Sequence, residues 1–219
     1  MCTRFRLLLT PTQSMVYPDL LLSIKKAEAL PIQDERLPVL NQLIDYSKDR
    51  LGKSQEIRLN FICTHNSRRS QFSQIWAQVA ASCYNVPAKC FSGGVEVTAF
   101  NERAVASIRR SGFKVSCTGT ENPTYKIDFS DLESPITAFS KLYDDRINPP
   151  TDFAAIMTCA DADDNCPFIS GTDVRIPLRY EDPKAFDDTD QEEAMYDERS
   201  LQIASELLFV FKSISIFTK

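Results

Sequence analysis

The residues Cys63-Thr64-His65-Asn66-Ser67-Arg68-Arg69-Ser70 place a thiol and a guanidinium with five residues between them. A strand-like stretch, 57–62, precedes them and a helix-like one, 71–81, follows. A loop bent between a strand and a helix turns its backbone N–H groups inward, and the helix N-terminus adds partial positive charge. Arg69 supplies a bidentate fork for a tetrahedral oxyanion. Such surroundings favour the thiolate, the nucleophilic form of cysteine. Cys63 is therefore expected to attack a phosphate-shaped group held by Thr64, His65, Asn66, Ser67, Arg68, Arg69 and Ser70. The bland alternative is a core cysteine beside two solvated arginines, and the strand–loop–helix setting argues against it.

This constellation resembles the low-molecular-weight protein tyrosine phosphatases and the thioredoxin-coupled arsenate reductases of the same fold. The resemblance implies that Asn66 holds the unusual turn of the loop and that Ser70 hydrogen-bonds the Cys63 thiolate. A second match is the run Thr158-Cys159-Ala160-Asp161-Ala162-Asp163-Asp164-Asn165-Cys166-Pro167, similar to the redox segment of the reductases. There, two further cysteines relay electrons to thioredoxin, which makes Cys159 and Cys166 catalytic candidates. A third match is Glu181-Asp182-Pro183, where the family carries its general acid, here Asp182. Lys184-Ala185-Phe186 follow it in place of the tyrosines of an aryl cleft, which weakens the phosphotyrosine reading.

The spacing of the distal cysteines has a physical consequence. In a helix their Cα atoms would lie about 10.5 Å apart, whereas a disulfide spans at most roughly 7 Å. Joining them requires the segment to unwind, and its Asp, Asn and Pro content suits that. The other readings are two buried cysteines flanking an acidic loop, or half a metal site. Metal is disfavoured, because His65 is the sole histidine and no close Cys-x-x-Cys pair exists.

Composition narrows the class. The chain has 219 residues, 43% of them apolar, and a formal charge of −5. It is long enough for one good core, and its acidity argues against nucleic acid as a partner. No membrane partner is expected. Seven cysteines scattered along the chain do not read as a secreted framework, so a cytoplasmic enzyme is expected. Residues 1–14 read as a leader, or as an upstream start to Met15. Cys2, Cys83, Cys90 and Cys117 carry no motif.

The elements that position these residues follow from periodicity. Helices are expected at 19–28 and 36–51, the second with Leu37, Leu40 and Ile44 on one face. Together with the leader they form an N-terminal extension, residues 1–55, ahead of a catalytic domain, 56–219. That domain alternates strands at 57–62, 89–92, 113–116, 153–158 and 173–177 with helices at 69–83, 101–111 and 191–213. This is the pattern of an α/β fold with a parallel sheet covered on both faces by helices. The expected architecture is a flavodoxin-like four-stranded sheet of order 2-1-3-4, with Cys63 at the carboxyl end of its first strand. Residues 124–129 and 136–139 suggest an inserted hairpin, serving either as active-site rim or as a structural flap. His65 and Arg68 read as exposed loop residues, and Ile203, Leu207, Phe211 and Ile214 as a core-facing stripe.

Three functions compete. In the reductase reading, arsenate is reduced through Cys63, Cys159 and Cys166, with no bound cofactor and with thioredoxin or a similar dithiol protein as external reductant. In the phosphatase reading, Cys63 forms a phosphocysteine with a phosphotyrosine protein as substrate. In the third, the chain is a redox-regulated binding module that turns over neither. Retention of both distal cysteines favours the reductase.

Overall fold

The computed structural model describes residues 16–165 and 168–217. Cys2, Cys166 and Pro167, and with them the leader, lie outside the described residues. Helices α1 (Pro18–Ala29) and α2 (Leu37–Gly52) come first, separated by a 3-10 turn at Asp34–Arg36. Proline near the start of each helix, where its missing N–H is no loss, fixes both N-termini.

The catalytic framework is a parallel sheet of β1 (Ile57–Cys63), β2 (Ala88–Gly94), β6 (Phe153–Met157) and β7 (Thr172–Ile176), in the order β2-β1-β6-β7. Counted among parallel strands alone, this is the order 2-1-3-4. β1 and β6 are buried nearly throughout, as strands covered on both faces must be. Leu59, Phe61, Ala154 and Ile156 face the main core, while Ile62, Phe153, Ala155 and Met157 form a second cluster with Cys63, Cys159, Ala162 and Ile169.

Residues 113–116 depart from expectation. They belong to β3 (Lys114–Thr118), which leaves the parallel sheet and pairs antiparallel with β4 (Thr124–Asp128); β4 in turn pairs with β5 (Ile136–Ala138). The expected hairpin is thus extended to a separate three-stranded sheet. The reason is legible in β3 itself. Lys114, Ser116 and Thr118 make one of its faces polar, so it cannot occupy the interior of a parallel sheet covered on both faces.

The remaining helices are α3 (Arg69–Cys83), α4 (Glu102–Arg110), α5 (Ala160–Asn165) and α6 (Glu192–Phe217); α2, α3 and α5 pack on the parallel sheet, and α6 packs on α1, α2, α3 and α4. α4 begins where Asn101 accepts from the Arg103 and Ala104 amides at 3.0 and 3.4 Å, satisfying otherwise orphaned donors. It ends at Gly112, whose φ of 98° and 2.3 Å Cβ clearance to the Leu20 amide nitrogen demand glycine. α6 is 26 residues long, beyond the expected 191–213, and by length and composition alone could cross a bilayer. Its Ile203, Leu207, Phe211 and Ile214 are all fully buried, and they share one core with Leu20, Ile24, Leu40 and Leu43 of α1 and α2. It is the central helix of the protein.

Candidate active site

β1 delivers Cys63 to the bottom of a cradle, where the residue is 3% exposed. The loop that follows is tied outward through its carbonyls. Cys63 O accepts from the Val95 amide (3.2 Å), Thr64 O from Glu96 (2.8 Å) and Ser67 O from Asn101 (3.0 Å). His65 O accepts from the Ser140 hydroxyl at 2.8 Å and Asn66 O from the Gln71 amide group at 2.9 Å. The N–H groups from Thr64 to Arg68 have no backbone acceptor among the described residues. Donors left free beside the start of α3 suit an anion. Gly94, at the end of β2, lets the loop approach, since a Cβ there would lie 2.7 Å from the Asn66 nitrogen and 2.8 Å from the Thr64 oxygen.

Asn66 is the pivot of the loop. Its φ is 47°, a left-handed conformation that asparagine tolerates better than most residues. Its side chain is fully buried, donates to Ser70 Oγ at 2.8 Å and accepts from the Lys141 amide at 3.0 Å. Ser70 Oγ in turn lies 3.1 Å from Cys63 Sγ. One hydroxyl therefore links the thiol to the residue that shapes the loop.

The structure brings Arg69 and Asp182 together. Arg69 Nη2 donates to Asp182 Oδ2 at 2.7 Å and Nη1 to Tyr180 O at 3.1 Å. Asp182 also accepts from the Lys184 amide at 3.1 Å, capping the 3-10 turn Pro183–Phe186. Asp182 thus takes one arm of the guanidinium and the Tyr180 carbonyl the other. Arg68 corrects an expectation. It is not a solvated charge but is 12% exposed, with Nε donating to Tyr196 Oη at 2.8 Å and Nη2 to Asp187 Oδ2 at 3.5 Å. Tyr196, from α6, lies over the loop and withdraws Arg68 from water. His65 remains half-exposed, 3.3 Å from Glu96.

Cys159, 1% exposed, lies at the start of α5, where its sulfur accepts from the Ala162 amide at 3.4 Å. That sulfur is 3.5 Å from Thr64 Oγ1, which donates to Asp161 Oδ2 at 2.6 Å. The second thiol thus borders the cradle beside the residue that follows Cys63. Among the described residues, no group of three or more His, Cys, Asp or Glu side chains is arranged to hold a metal. An open cleft of about 470 Å³ flanks the cradle and includes Ser67, Arg68, Asn101, Arg103 and Lys184.

Tyr180, Tyr196, Asp187 and the Lys141 backbone escaped the sequence reading. All reach the cradle from more than 70 positions away in the chain, and none lies in a motif.

No family model matches the chain. Among curated proteins it is similar to arsenate reductase 1 of Staphylococcus saprophyticus, at 30% identity over 124 residues, covering 56% of this chain and 76% of that protein. It is similar to the same extent to the arsenate reductase of Staphylococcus aureus. Among solved structures, a low-molecular-weight phosphotyrosine phosphatase of Vibrio cholerae superposes with a TM-score of 0.47 at 12% identity, covering 70% of this chain and 93% of that one. A thioredoxin-dependent arsenate reductase of Corynebacterium glutamicum gives 0.38 at 18%, covering 84% and 80%. With a parallel sheet of this order, a cysteine at the carboxyl end of its first strand, and relatives matched over three-quarters of their length, the chain belongs to the family of these arsenate reductases.

Proposed function

We propose that this protein is a cytoplasmic arsenate reductase that uses Cys63, Cys159 and Cys166 in turn. The observation that carries the reading is the burial of Cys159 at the rim of the oxyanion cradle, its sulfur 3.5 Å from the hydroxyl of Thr64. A phosphatase has no use for a second thiol there. The two curated relatives described above, named as arsenate reductases, support the same substrate.

Arsenate binds among the loop amides from Thr64 to Ser70, with its charge met by Arg69, which exchanges Asp182 for the oxyanion. The Cys63 thiolate attacks arsenic, forming an S–As bond. Asp182, released from Arg69, takes up a proton from solvent and passes it as general acid to an arsenic-bound hydroxyl, which departs as water. Cys159 attacks Cys63 Sγ as a thiolate. The S–As electron pair goes to arsenic, releasing arsenite and leaving a Cys63–Cys159 disulfide. Cys166 then attacks Cys159, freeing the Cys63 thiolate and forming Cys159–Cys166. Thioredoxin, or a similar dithiol protein, reduces this last bond by exchange and is itself oxidised.

Arsenate turnover coupled to thioredoxin and followed by NADPH loss tests the reading. Turnover in the wild type that disappears in both Cys159→Ser and Cys166→Ser supports it. The rival is a phosphatase, favoured by the 2.7 Å Asp182–Arg69 contact, which sets an acid beside the cradle whether or not a relay exists. Aryl-phosphate hydrolysis that needs Cys63 and ignores both distal substitutions, without arsenate turnover, would establish that rival instead.

A further inference from the structure

Arg36 is remote from the cradle in sequence and belongs to the turn between α1 and α2. Its guanidinium is nevertheless held at three points. Nε and Nη2 donate to Glu206 Oε1 and Oε2, each at 2.8 Å, and Nη1 donates to Arg179 O at 3.0 Å. The Glu206 side chain is 4% exposed and that of Arg36 18%, so this is a bidentate pair largely withdrawn from water, the geometry in which such pairs are strongest. The Arg36 guanidinium carbon also lies 5.1 Å from the centre of the Tyr180 ring, within cation–π range. Tyr180 Oη donates to Glu206 Oε2 at 2.9 Å.

Tyr180 carries this geometry to the chemistry. Its amide donates to Thr158 O at 3.1 Å, and its carbonyl accepts from Arg69 Nη1 at 3.1 Å. Two residues later, Asp182 accepts from the other arm of the same guanidinium. Arg179 and Tyr180 are thus fixed from behind by Arg36 and Glu206, and they fix Arg69 and Asp182 in front. Besides these, the segment is held by the Leu178 amide on Ile176 O (3.0 Å), the Tyr180 amide on Thr158 O and the Arg179 side chain on Asp163 and Asp164. We propose that Arg36 is a positioning residue for Arg69 and Asp182, so that the N-terminal helical segment sets the geometry of the oxyanion site through Glu206 and Tyr180. This rests on the assignment of Asp182 as the acid.

Without Arg36, the Arg179 carbonyl loses its donor, and Glu206 keeps a buried charge with Tyr180 and Gln202 as its remaining side-chain donors among the described residues. The 178–182 segment then loses its support from the N-terminal helices while keeping its bonds to Ile176, Thr158 and Asp163. A misplacement near 1 Å far from the reacting atoms is enough to slow an enzyme about 100-fold.

The test is a double-mutant cycle in the full chain, with Arg36→Met and Asp182→Asn made singly and together. Turnover is read with arsenate and with p-nitrophenyl phosphate, alongside amide hydrogen exchange of segment 178–182. Arg36→Met should slow turnover about 10- to 100-fold in the wild-type background and by clearly less when Asp182 is already Asn, the remaining effect acting through Arg69. Exchange of 178–182 should accelerate while β1 and α3 stay unchanged. Equal slowing in both backgrounds, or unchanged exchange of 178–182, would overturn the proposal. Should Asp182→Asn leave turnover intact, or the wild type turn over neither substrate, the acid assignment fails and exchange alone decides whether Arg36 holds the segment. If Arg36→Met loosens β1 and α3 as well, Arg36→Lys carries the cycle. It keeps the charge on Glu206, gives up the Arg179 carbonyl, and should show a smaller but still non-additive effect.

Discussion

Thr64 and Cys159 meet at the rim of the cradle, the threonine oxygen 3.5 Å from the sulfur and 2.6 Å from Asp161 Oδ2. Both cysteines on either side of this contact are buried in one small apolar cluster. The Cys159 thiol thus lies beside the residue that follows Cys63. Cys83 and Cys90 are deeply buried elsewhere, and burial pushes the Cys83 thiol up to about 12 and the Cys90 thiol up as well.

Oxidation of a Cys166→Ser variant should therefore stop at a single species. Treatment with one equivalent of diamide is expected to give a Cys63–Cys159 disulfide, seen by peptide mapping as a cross-link between β1 and the start of α5. Cys83 and Cys90 should remain reduced. A map in which Cys63 instead pairs with Cys117, or with a second molecule, would remove Cys159 from the relay.

Asn66 combines a left-handed backbone with two buried hydrogen bonds, and substitutions separate the two contributions. Asn66→Gly keeps the conformation available but strands the Lys141 amide and frees the Ser70 hydroxyl, a loss of about 2–3 kcal/mol. Asn66→Ala adds backbone strain of about 1 kcal/mol more. Urea midpoints should fall in the order wild type, glycine, alanine, with oxyanion turnover impaired in both variants because Ser70 no longer faces Cys63 Sγ under constraint. A glycine variant less stable than the alanine variant would show that φ at Asn66 carries no strain.

Lys141 is 2% exposed, with Nζ 3.4 Å from both Ser92 Oγ and Phe139 O. Burial pulls its ammonium down to about 8, against the opposing field of Asp145, whereas the unfolded chain titrates near 10.4. Between these values the unfolded state binds more protons, so stability rises with pH. Below pH 8 the burial penalty is fully present, about 3 kcal/mol for a shift of this size. It is relieved as pH climbs from 8 towards 10.4. Compared with Lys141→Met, which never carries the charge, the wild type should gain up to about 3 kcal/mol between pH 7 and pH 10.5. Denaturant curves that run parallel over this range would mean that the folded ammonium is not perturbed.

The cradle was legible in the sequence because its parts are contiguous. Cys63, Asn66, Arg69 and Ser70 fall within one loop, and strand and helix periodicity on either side fix its bend. Asp182 was legible only through its Asp-Pro setting. What the sequence hid acts across long separations through residue types that usually face water. Arg36 and Glu206 are 170 positions apart, and nothing local distinguishes either from a surface charge. Arg68 misled for the same reason, since the Tyr196 that covers it arrives from near the start of α6, 128 positions away. In β3 the signal was present, because a face made of Lys114, Ser116 and Thr118 is incompatible with a strand buried on both sides, but the alternation of elements outweighed it.

The segment between the two distal cysteines tests the relay most directly. Residues Ala160–Asn165 form α5, and continued helix would leave the Cys159 and Cys166 Cα atoms about 10.5 Å apart, too far for a disulfide. Closing the bond requires α5 to unwind, and Asp163 resists that. Its side chain, 9% exposed, accepts from Arg175 Nε and Arg179 Nε at 2.8 Å each, while Arg179 also reaches Asp164 at 3.1 Å. These bonds anchor α5 to β7 and the chain beyond it, and they stabilise the reduced form alone if unwinding breaks them. Asp163→Asn weakens them by about 1.5–3 kcal/mol, the range for hydrogen bonds to charged groups. Removing support from the reduced state favours the disulfide. The Cys159–Cys166 midpoint in a glutathione redox titration should therefore move about 30–60 mV more negative. A Cys63→Ser background keeps the first disulfide from interfering. An unchanged midpoint would mean that Asp163 keeps its partners in both redox states, and a shift to more positive values would mean that the clamp supports the oxidised form.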